Sequence, residues 1–249
     1  MDQRTMYEAQ SDPAKAACGI DFALKGRDDF VIAHINRFAT AKGLMTFNVA
    51  ELSIGDGRLT KNLLLSNRAL SLTCADISSV RGKLVGDMLT SLNLSERAKF
   101  VECNFDIDFD LMESDSYEVV VALDVMEHVF DVFNFVNHCR RILKEQGILI
   151  LRVPNVAYIK HRFNLLRGCL PATASWFGKP GDLTEWKNFW GWDGGHLHLF
   201  TLPILKDLLQ GYGFRVEQCR DAGTRLENVR NLWPNLLYAN PVIIATKQL

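Results

Sequence analysis

Short apolar runs alternate with segments of helical periodicity along most of the chain. Strands that alternate with helices form a parallel sheet with helices on both faces. The sequence therefore predicts a doubly wound α/β fold. The strand-like runs lie at residues 47–52, 70–75, 99–103, 117–123, 148–153, 214–219 and 242–246, and helical spacing covers residues 58–65, 133–143 and 202–209.

The central strands are almost wholly apolar. Residues 119–123 and 148–151 contain no polar side chain, a pattern typical of strands that are buried on both faces. We expect these two runs at the middle of the sheet.

Two segments lie outside the alternation. Residues 1–43 form an N-terminal helical segment, since apolar residues recur there at helical spacing and Gly43 is a helix-ending residue. Residues 154–200 interrupt the alternation, and we interpret them as a cap over one edge of the sheet that either contacts substrate or simply packs. The cap contains Trp176, Trp186, Trp190 and Trp192. We expect one domain over residues 1–249.

The composition argues against a nucleic-acid-binding protein and against a membrane-spanning one. The 28 basic and 29 acidic residues give a net charge of −1, which disfavours bulk nucleic-acid binding. None of the six cysteines pairs as C-x-x-C, so we expect reduced cysteines in a cytoplasmic protein. No apolar run approaches the roughly 20 residues that cross a bilayer, and no membrane span is predicted.

A glycine-containing turn follows the first strand and opens a helix. Gly55 and Gly57 allow the backbone to turn sharply and to approach a ligand closely. Asp76 ends the next strand, where a carboxylate can accept both hydroxyl hydrogens of a ribose. Thr60 stands where a nicotinamide dehydrogenase has its third glycine, so the dinucleotide-binding spacing fails.

The segment at 51–57 resembles the first motif of class I S-adenosylmethionine-dependent methyltransferases. The resemblance continues in order through residues 117–129, 141–147, 152–155, 195–201 and 213–216. These later segments look like the families close to the ubiquinone-biosynthesis O-methyltransferases. The resemblance implies a Rossmann-like sheet of seven strands, mostly parallel, with an antiparallel last strand.

The same resemblance implies a set of cofactor contacts. Glu51 would orient the loop or meet the methionine end, and Asp76 would bind the ribose. Ser53 replaces the usual first glycine and Asn104 replaces a common acidic residue, so we expect weakened binding. The implied S-adenosylmethionine contacts are Glu51, Ser53, Gly55, Gly57, Asp76, Ile77, Asn104, Phe105 and Leu123.

Candidate catalytic groups follow the fourth strand. The spacing Asp124-x-x-Glu127-His128, with His196 further on, resembles the E-x-x-E-H of ubiquinone-pathway O-methyltransferases and of small-RNA terminal ribose methyltransferases. It implies a divalent metal held by all four side chains, which would lower the pKa of a substrate hydroxyl. Without metal, His128 or His196 is the natural general base, with Glu127 beside them.

The resemblance predicts methyl transfer to a small-molecule or glycan-like acceptor, at oxygen rather than at nitrogen or carbon. Two alternatives stay open. Ser53 and Asn104 would also suit a non-catalytic binding protein of the same fold, and the four candidate ligands would suit a metal-dependent RNA-terminal ribose methyltransferase, against which the net charge argues. The pattern indicates no oligomeric state.

A basic cluster lies in the predicted cap, on a predicted helix. It could contact a phosphate of an activated substrate, or it could be an ordinary solvated helix face. Its residues are Lys160, His161, Arg162 and Arg167.

Overall fold

The computed structural model describes residues 22–171, 173, 195–222 and 227–249. Seven strands form one sheet in the order β3-β2-β1-β4-β5-β7-β6. β7 runs antiparallel to both of its neighbours, and the other strand pairs are parallel. This confirms the predicted fold. The strands are β1 Phe47–Leu52, β2 Leu70–Asp76, β3 Ala98–Glu102, β4 Tyr117–Leu123, β5 Leu143–Arg152, β6 Phe214–Arg220 and β7 Val242–Lys247.

Helices cover the sheet on both faces, as the alternation predicts. They are α1 Phe22–Ala41, α2 Arg58–Ser66, α3 Ser79–Ser91, α4 Val132–Ile142, α5 Ile159–Leu166, α6 Leu202–Gly211, α7 Glu227–Arg230 and α8 Pro234–Leu237. Single 3-10 turns lie at Ser95–Arg97, Phe109–Leu111 and Met126–His128.

The hydrophobic core has one layer on each face of the sheet. Successive side chains of a strand point to opposite faces, and β4 shows this directly. Val119 and Val121 belong to the layer formed with α1, α2 and α3, whereas Val120 and Ala122 belong to the layer formed with α4 and α6. All four are fully buried, so β4 is covered on both faces as its composition predicts.

The start of β5 differs from the sequence prediction. The strand begins at Leu143, directly after α4, rather than at residue 148. Leu143 pairs with Tyr117 of β4, and the register then shifts before Ile148. Leu143 is fully buried, and this burial fixes the start of the strand. The polar residues that follow it have a turn-like sequence, which is why the strand start was not predicted.

α1 lies in the predicted N-terminal helical segment, and residues 1–21 are outside the described residues. It ends at Ala41, and Gly43, the predicted helix stop, follows with a φ of +63°. The Leu44 N–H donates to the Ala39 carbonyl at 3.0 Å, so a left-handed glycine closes the helix. The side chains of Val31 and Ile35 are buried and lie on the inner face of α1.

The predicted cap is described in part, over residues 154–171, 173 and 195–200. α5 is its one described helix. Trp176, Trp186, Trp190 and Trp192 lie outside the described residues. Among the helices that are described, none combines the length and the apolar character needed to cross a membrane.

Candidate active site

The predicted site residues meet at one edge of the sheet. Parallel strands end at the same edge, and the register makes those ends level: Leu52 of β1 lies opposite Ala75 of β2 and Ala122 of β4. Asp76 likewise lies opposite Glu102 of β3. Ligands of open α/β sheets bind beyond the carboxyl ends of such strands, so this edge is the candidate site.

The loop between β1 and α2 has an unusual backbone. Ser53, Gly55 and Gly57 have φ angles of +67°, +56° and +73°. A Cβ on Gly57 would lie 2.6 Å from Cγ2 of Val85 on α3. Gly57 is therefore required for space as well as for conformation, whereas Ser53 carries a side chain at a strained angle.

Replacing Ser53 by glycine is expected to stabilise the protein by about 0.5–1 kcal/mol, because glycine adopts a positive φ without the Cβ penalty. Gly57→Ala should do the reverse, by about 1–3 kcal/mol, since it adds both strain and overlap with Val85. Urea unfolding of both variants measures the change in the free energy of unfolding, which should be positive for Ser53→Gly and negative for Gly57→Ala. A loss of stability in Ser53→Gly would show that the serine side chain makes a contact worth more than the strain.

Asp76 is hydrogen-bonded to the backbone of the glycine loop. Its carboxylate accepts hydrogen bonds from the backbone N–H of Ile54 at 3.0 Å and of Ser78 at 2.9 Å. Burial raises the pKa of Asp76, while the Ser78 N–H and the Arg81 guanidinium oppose that shift. The carboxylate thus ties the end of β2 to the glycine loop, in addition to the ribose contact predicted for it.

Glu51 lies inside the protein beneath the same loop. Its carboxylate accepts a hydrogen bond from the Thr60 hydroxyl at 2.7 Å. Burial raises the pKa of Glu51 to about 8, and the Thr60 hydrogen bond partly offsets this. Two roles were predicted for Glu51, orientation of the loop and contact with the methionine end of the cofactor. The Glu51 side chain connects β1 with α2, and this geometry favours orientation of the loop.

The raised pKa of Glu51 makes stability depend on pH. The folded protein holds this proton more tightly than the unfolded chain, whose value is near 4.5. The contribution is therefore complete below pH 4.5 and is lost as pH rises through about 8. We expect Glu51→Gln to remove this loss, which amounts to roughly 4 kcal/mol between pH 5 and pH 9.

Thermal unfolding at pH 5, 7 and 9 without ligand checks this prediction. The exposed Glu96→Gln is the matched control, and it should keep the wild-type slope. Equal slopes for Glu51→Gln and the wild-type protein would contradict a protonated Glu51.

The remaining predicted cofactor contacts lie on the same edge. Leu123 ends β4 and Ile77 follows β2. Asn104 follows β3, and its side-chain oxygen accepts from the Asp106 N–H at 3.0 Å. The Phe105 ring is buried and packs 5.1 Å from the Phe109 ring, so Phe105 lines the core as well as the edge.

An ion-pair network that the sequence does not reveal joins α1 to this edge. Arg27 lies 3.3 Å from the Asp124 carboxylate, which also pairs with Arg152 at the end of β5. Asp28, only 1% exposed, pairs with Arg27 at 2.8 Å and with Arg58 of α2 at 3.1 Å. α1 is thereby fixed to α2, β4 and β5 by charged groups.

Three of the four candidate catalytic side chains come together. Ligand atoms of Glu127, His128 and His196 all lie within 4.8 Å of one another. The His128 and His196 rings are 4.7 Å apart at 72°, and His196 Nε2 is 4.0 Å from the Glu127 carboxylate. Asp124, the fourth residue of the predicted set, lies outside this group, and its carboxylate pairs with Arg27 and Arg152.

Backbone and side-chain contacts hold the three groups in place. His128 Nδ1 lies 3.2 Å from the Gly195 carbonyl oxygen, and the Leu197 N–H donates to the Glu127 carbonyl at 2.8 Å. Thr173 Oγ1 lies 2.7 Å from His196 Nδ1. The C-terminal end of the predicted cap is therefore bound directly to the turn after β4.

The histidine contacts restrict the proton positions. A carbonyl oxygen only accepts, so His128 donates to it through Nδ1–H, and the neutral ring then carries its lone pair on Nε2. His128 is thus set up as a base or as a ligand. The partner of His196 is a hydroxyl group, which both donates and accepts.

Comparison with known proteins agrees with this architecture. Residues 24–219 match the family described as a methyltransferase domain. A polyketide synthase–nonribosomal peptide synthetase of Aspergillus clavatus is 28% identical over 173 residues, which cover 63% of this chain and 4% of that protein. The chain thus spans only a small part of the length of this curated relative.

Two solved structures share the fold over almost the whole chain. Magnesium protoporphyrin IX methyltransferase from Synechocystis, with bound SAH, has a TM-score of 0.62 at 15% identity, over 98% of this chain and 94% of that one. The 1,6-didemethyltoxoflavin-N1-methyltransferase of Burkholderia thailandensis has a TM-score of 0.60 at 14% identity, over 98% and 85%. With the family match over most of its length, the chain belongs to the methyltransferase domain family.

Proposed function

We propose that the enzyme transfers a methyl group from S-adenosylmethionine to a hydroxyl group of a small-molecule or glycan-like acceptor. The observation that carries this is the convergence of Glu127, His128 and His196 at the carboxyl end of β4. This group lies at the sheet edge where β1 ends in the glycine loop. A base is needed there because a hydroxyl loses its proton as it accepts the methyl group.

The cofactor is proposed to lie across the carboxyl ends of β1 to β4. The glycine loop leaves room for a close approach of the backbone, and Asp76 already holds that loop in shape. We assign the contacts predicted from the sequence to this place, with Asp76 at the ribose. Glu51 is assigned to the support of the loop.

The proposed step is a single displacement. Bound S-adenosylmethionine would supply its methyl group to the acceptor oxygen with loss of the carbon–sulfur bond, and the products would be a methyl ether and S-adenosylhomocysteine. His128 takes the hydroxyl proton on Nε2, and the nearby Glu127 carboxylate stabilises the imidazolium of His128. Thr173 keeps the His196 ring beside them.

Calorimetric titration with S-adenosylmethionine and S-adenosylhomocysteine is the first experiment. We expect dissociation constants in the micromolar range for both, after which hydroxylated acceptors are screened for formation of S-adenosylhomocysteine. Absence of binding by either ligand would refute the cofactor assignment. Binding with turnover only on amine or carbon acceptors would refute the choice of oxygen.

The same three side chains also suit a divalent metal. Two imidazoles and one carboxylate within 4.8 Å form a typical three-residue donor set. A metal held by Glu127, His128 and His196 would lower the pKa of the acceptor hydroxyl. The test is turnover after dialysis against a chelator: full loss, reversed by added divalent metal, supports the metal, whereas unchanged turnover excludes it and leaves His128 as the base.

A further inference from the structure

α5 presents an exposed surface that the proposed reaction does not use. We call it the α5 surface. Its apolar members are among the more exposed large apolar side chains of the described residues, and its basic members are the lysine and the two arginines of the cluster noted in the sequence. The α5 surface consists of Lys160, Arg162, Phe163, Leu165, Leu166, Arg167 and Leu170.

The amphipathic character of α5 is inverted. A surface helix normally turns its apolar side chains to the core, but the buried side chain of α5 is His161. Phe163 and Leu166, one turn apart on the same side, are 58% and 82% exposed. Such a pair costs solvation free energy unless something apolar covers it.

The charge of the segment is one-sided. Lys160, Arg162 and Arg167 are exposed and flank the apolar pair, one or a few residues to each side. No acidic residue occurs between Val156 and Thr173. Large apolar side chains with cations at their margin are typical of helices that lie in the interface of an anionic membrane.

We propose that the α5 surface docks on an anionic phospholipid surface. Phe163, Leu166 and Leu170 enter the boundary between headgroups and acyl chains. Lys160 and Arg167 lie at headgroup level, where each cation strengthens binding by about fivefold. This proposal concerns a surface separate from the three catalytic side chains, and it does not depend on methyl transfer to oxygen.

Docking there brings the candidate site near the bilayer. Leu170 precedes Thr173 by three residues, and the Thr173 hydroxyl contacts His196. The docked enzyme would therefore face the membrane with the edge that holds its histidines. An acceptor group carried on a lipid could reach that edge without leaving the membrane.

Vesicle flotation with the whole chain tests the proposal. The probes are vesicles of phosphatidylcholine alone and vesicles in which part of it is replaced by phosphatidylglycerol. We expect binding to the second kind, at least tenfold weaker binding to the first, and a decrease of binding as salt is raised. Equal binding to both vesicles, or binding to neither, overturns the proposal.

Two pairs of variants locate the contact. Leu166→Asp should abolish flotation, whereas Leu65→Asp, at a leucine that is 59% exposed on α2, should not. Lys160→Glu should weaken binding at least fivefold, and Lys83→Glu, on α3, should change it by less than twofold. The charge pair keeps the test decisive if Leu166→Asp does not fold.

Size-exclusion chromatography without lipid addresses the competing occupant. A second copy of the chain would give a dimer that Leu166→Asp converts to a monomer. That outcome overturns membrane docking, and a size that is the same for wild type and variant supports it.

Discussion

Replacement of Asp76 by asparagine is expected to reduce the affinity for S-adenosylmethionine and S-adenosylhomocysteine by about 100-fold or more. The aspartate accepts from two backbone N–H groups, of Ile54 and Ser78. An asparagine has one acceptor oxygen, so its NH2 group must face one of these donors. A hydrogen bond to a charged group contributes about 1.5–3 kcal/mol, and the variant loses one such bond together with the charge proposed to bind the ribose.

The measurement is calorimetric titration, with thermal unfolding to confirm that the variant is folded. Asp87→Asn, at an exposed position on α3, is the control and should bind within about twofold of the wild-type protein. If Asp76→Asn binds either ligand within threefold of wild type, Asp76 supports neither the loop nor the ribose as proposed.

His128→Ala is expected to lower kcat by a factor of about 10²–10⁴, the usual contribution of a positioned general base. The affinity for S-adenosylmethionine should stay within about threefold, because the proposed cofactor contacts do not include His128. The prediction rests on the hydrogen bond from Nδ1 to the Gly195 carbonyl, which leaves Nε2 as the basic nitrogen.

His198→Ala is the control for this variant. His198 is only two residues from His196 in sequence, and its Nε2 lies 3.2 Å from the Phe130 carbonyl oxygen. It is a nearby histidine outside the group of three, so kcat should change by less than threefold. Equal losses in the two variants would indicate a general disturbance of the segment rather than loss of a base.

Most of the fold could be predicted because its determinants are local in sequence. Apolar runs such as residues 117–123 reveal a buried strand directly, and the structure gives β4 the same bounds. Gly43 shows the end of α1 for the same reason. The start of β5 could not be predicted, since Leu143 becomes a strand residue only through its pairing with Tyr117.

Site residues could be predicted only where they lie close to one another in the sequence or in a recognisable motif. Glu127 and His128 are adjacent, and the structure brings His196 to them. Asp124 was assigned to the same set, but its carboxylate is held by Arg27 and Arg152, which lie far from it in sequence. Arg152 left a weak signal, as the charged residue that ends an apolar strand.

Thr173 and Arg27 left no signal of their own. Each lies far in sequence from the residue that it contacts, and neither belongs to a motif. Thr173 reaches His196 from a position beyond α5, and Arg27 reaches Asp124 from α1. Such contacts are set by tertiary structure alone, which no pattern of a single sequence encodes.

The order of the strands has a consequence for synthesis on the ribosome. β6 lies at the edge of the described sheet and is joined to it through β7, which follows β6 in the chain but lies between β5 and β6. β6 therefore leaves the ribosome before the strand that pairs with it has been made. Until β7 is inserted, the open edges of β5 and β6 are the places where the nascent chain is most prone to wrong pairing and aggregation.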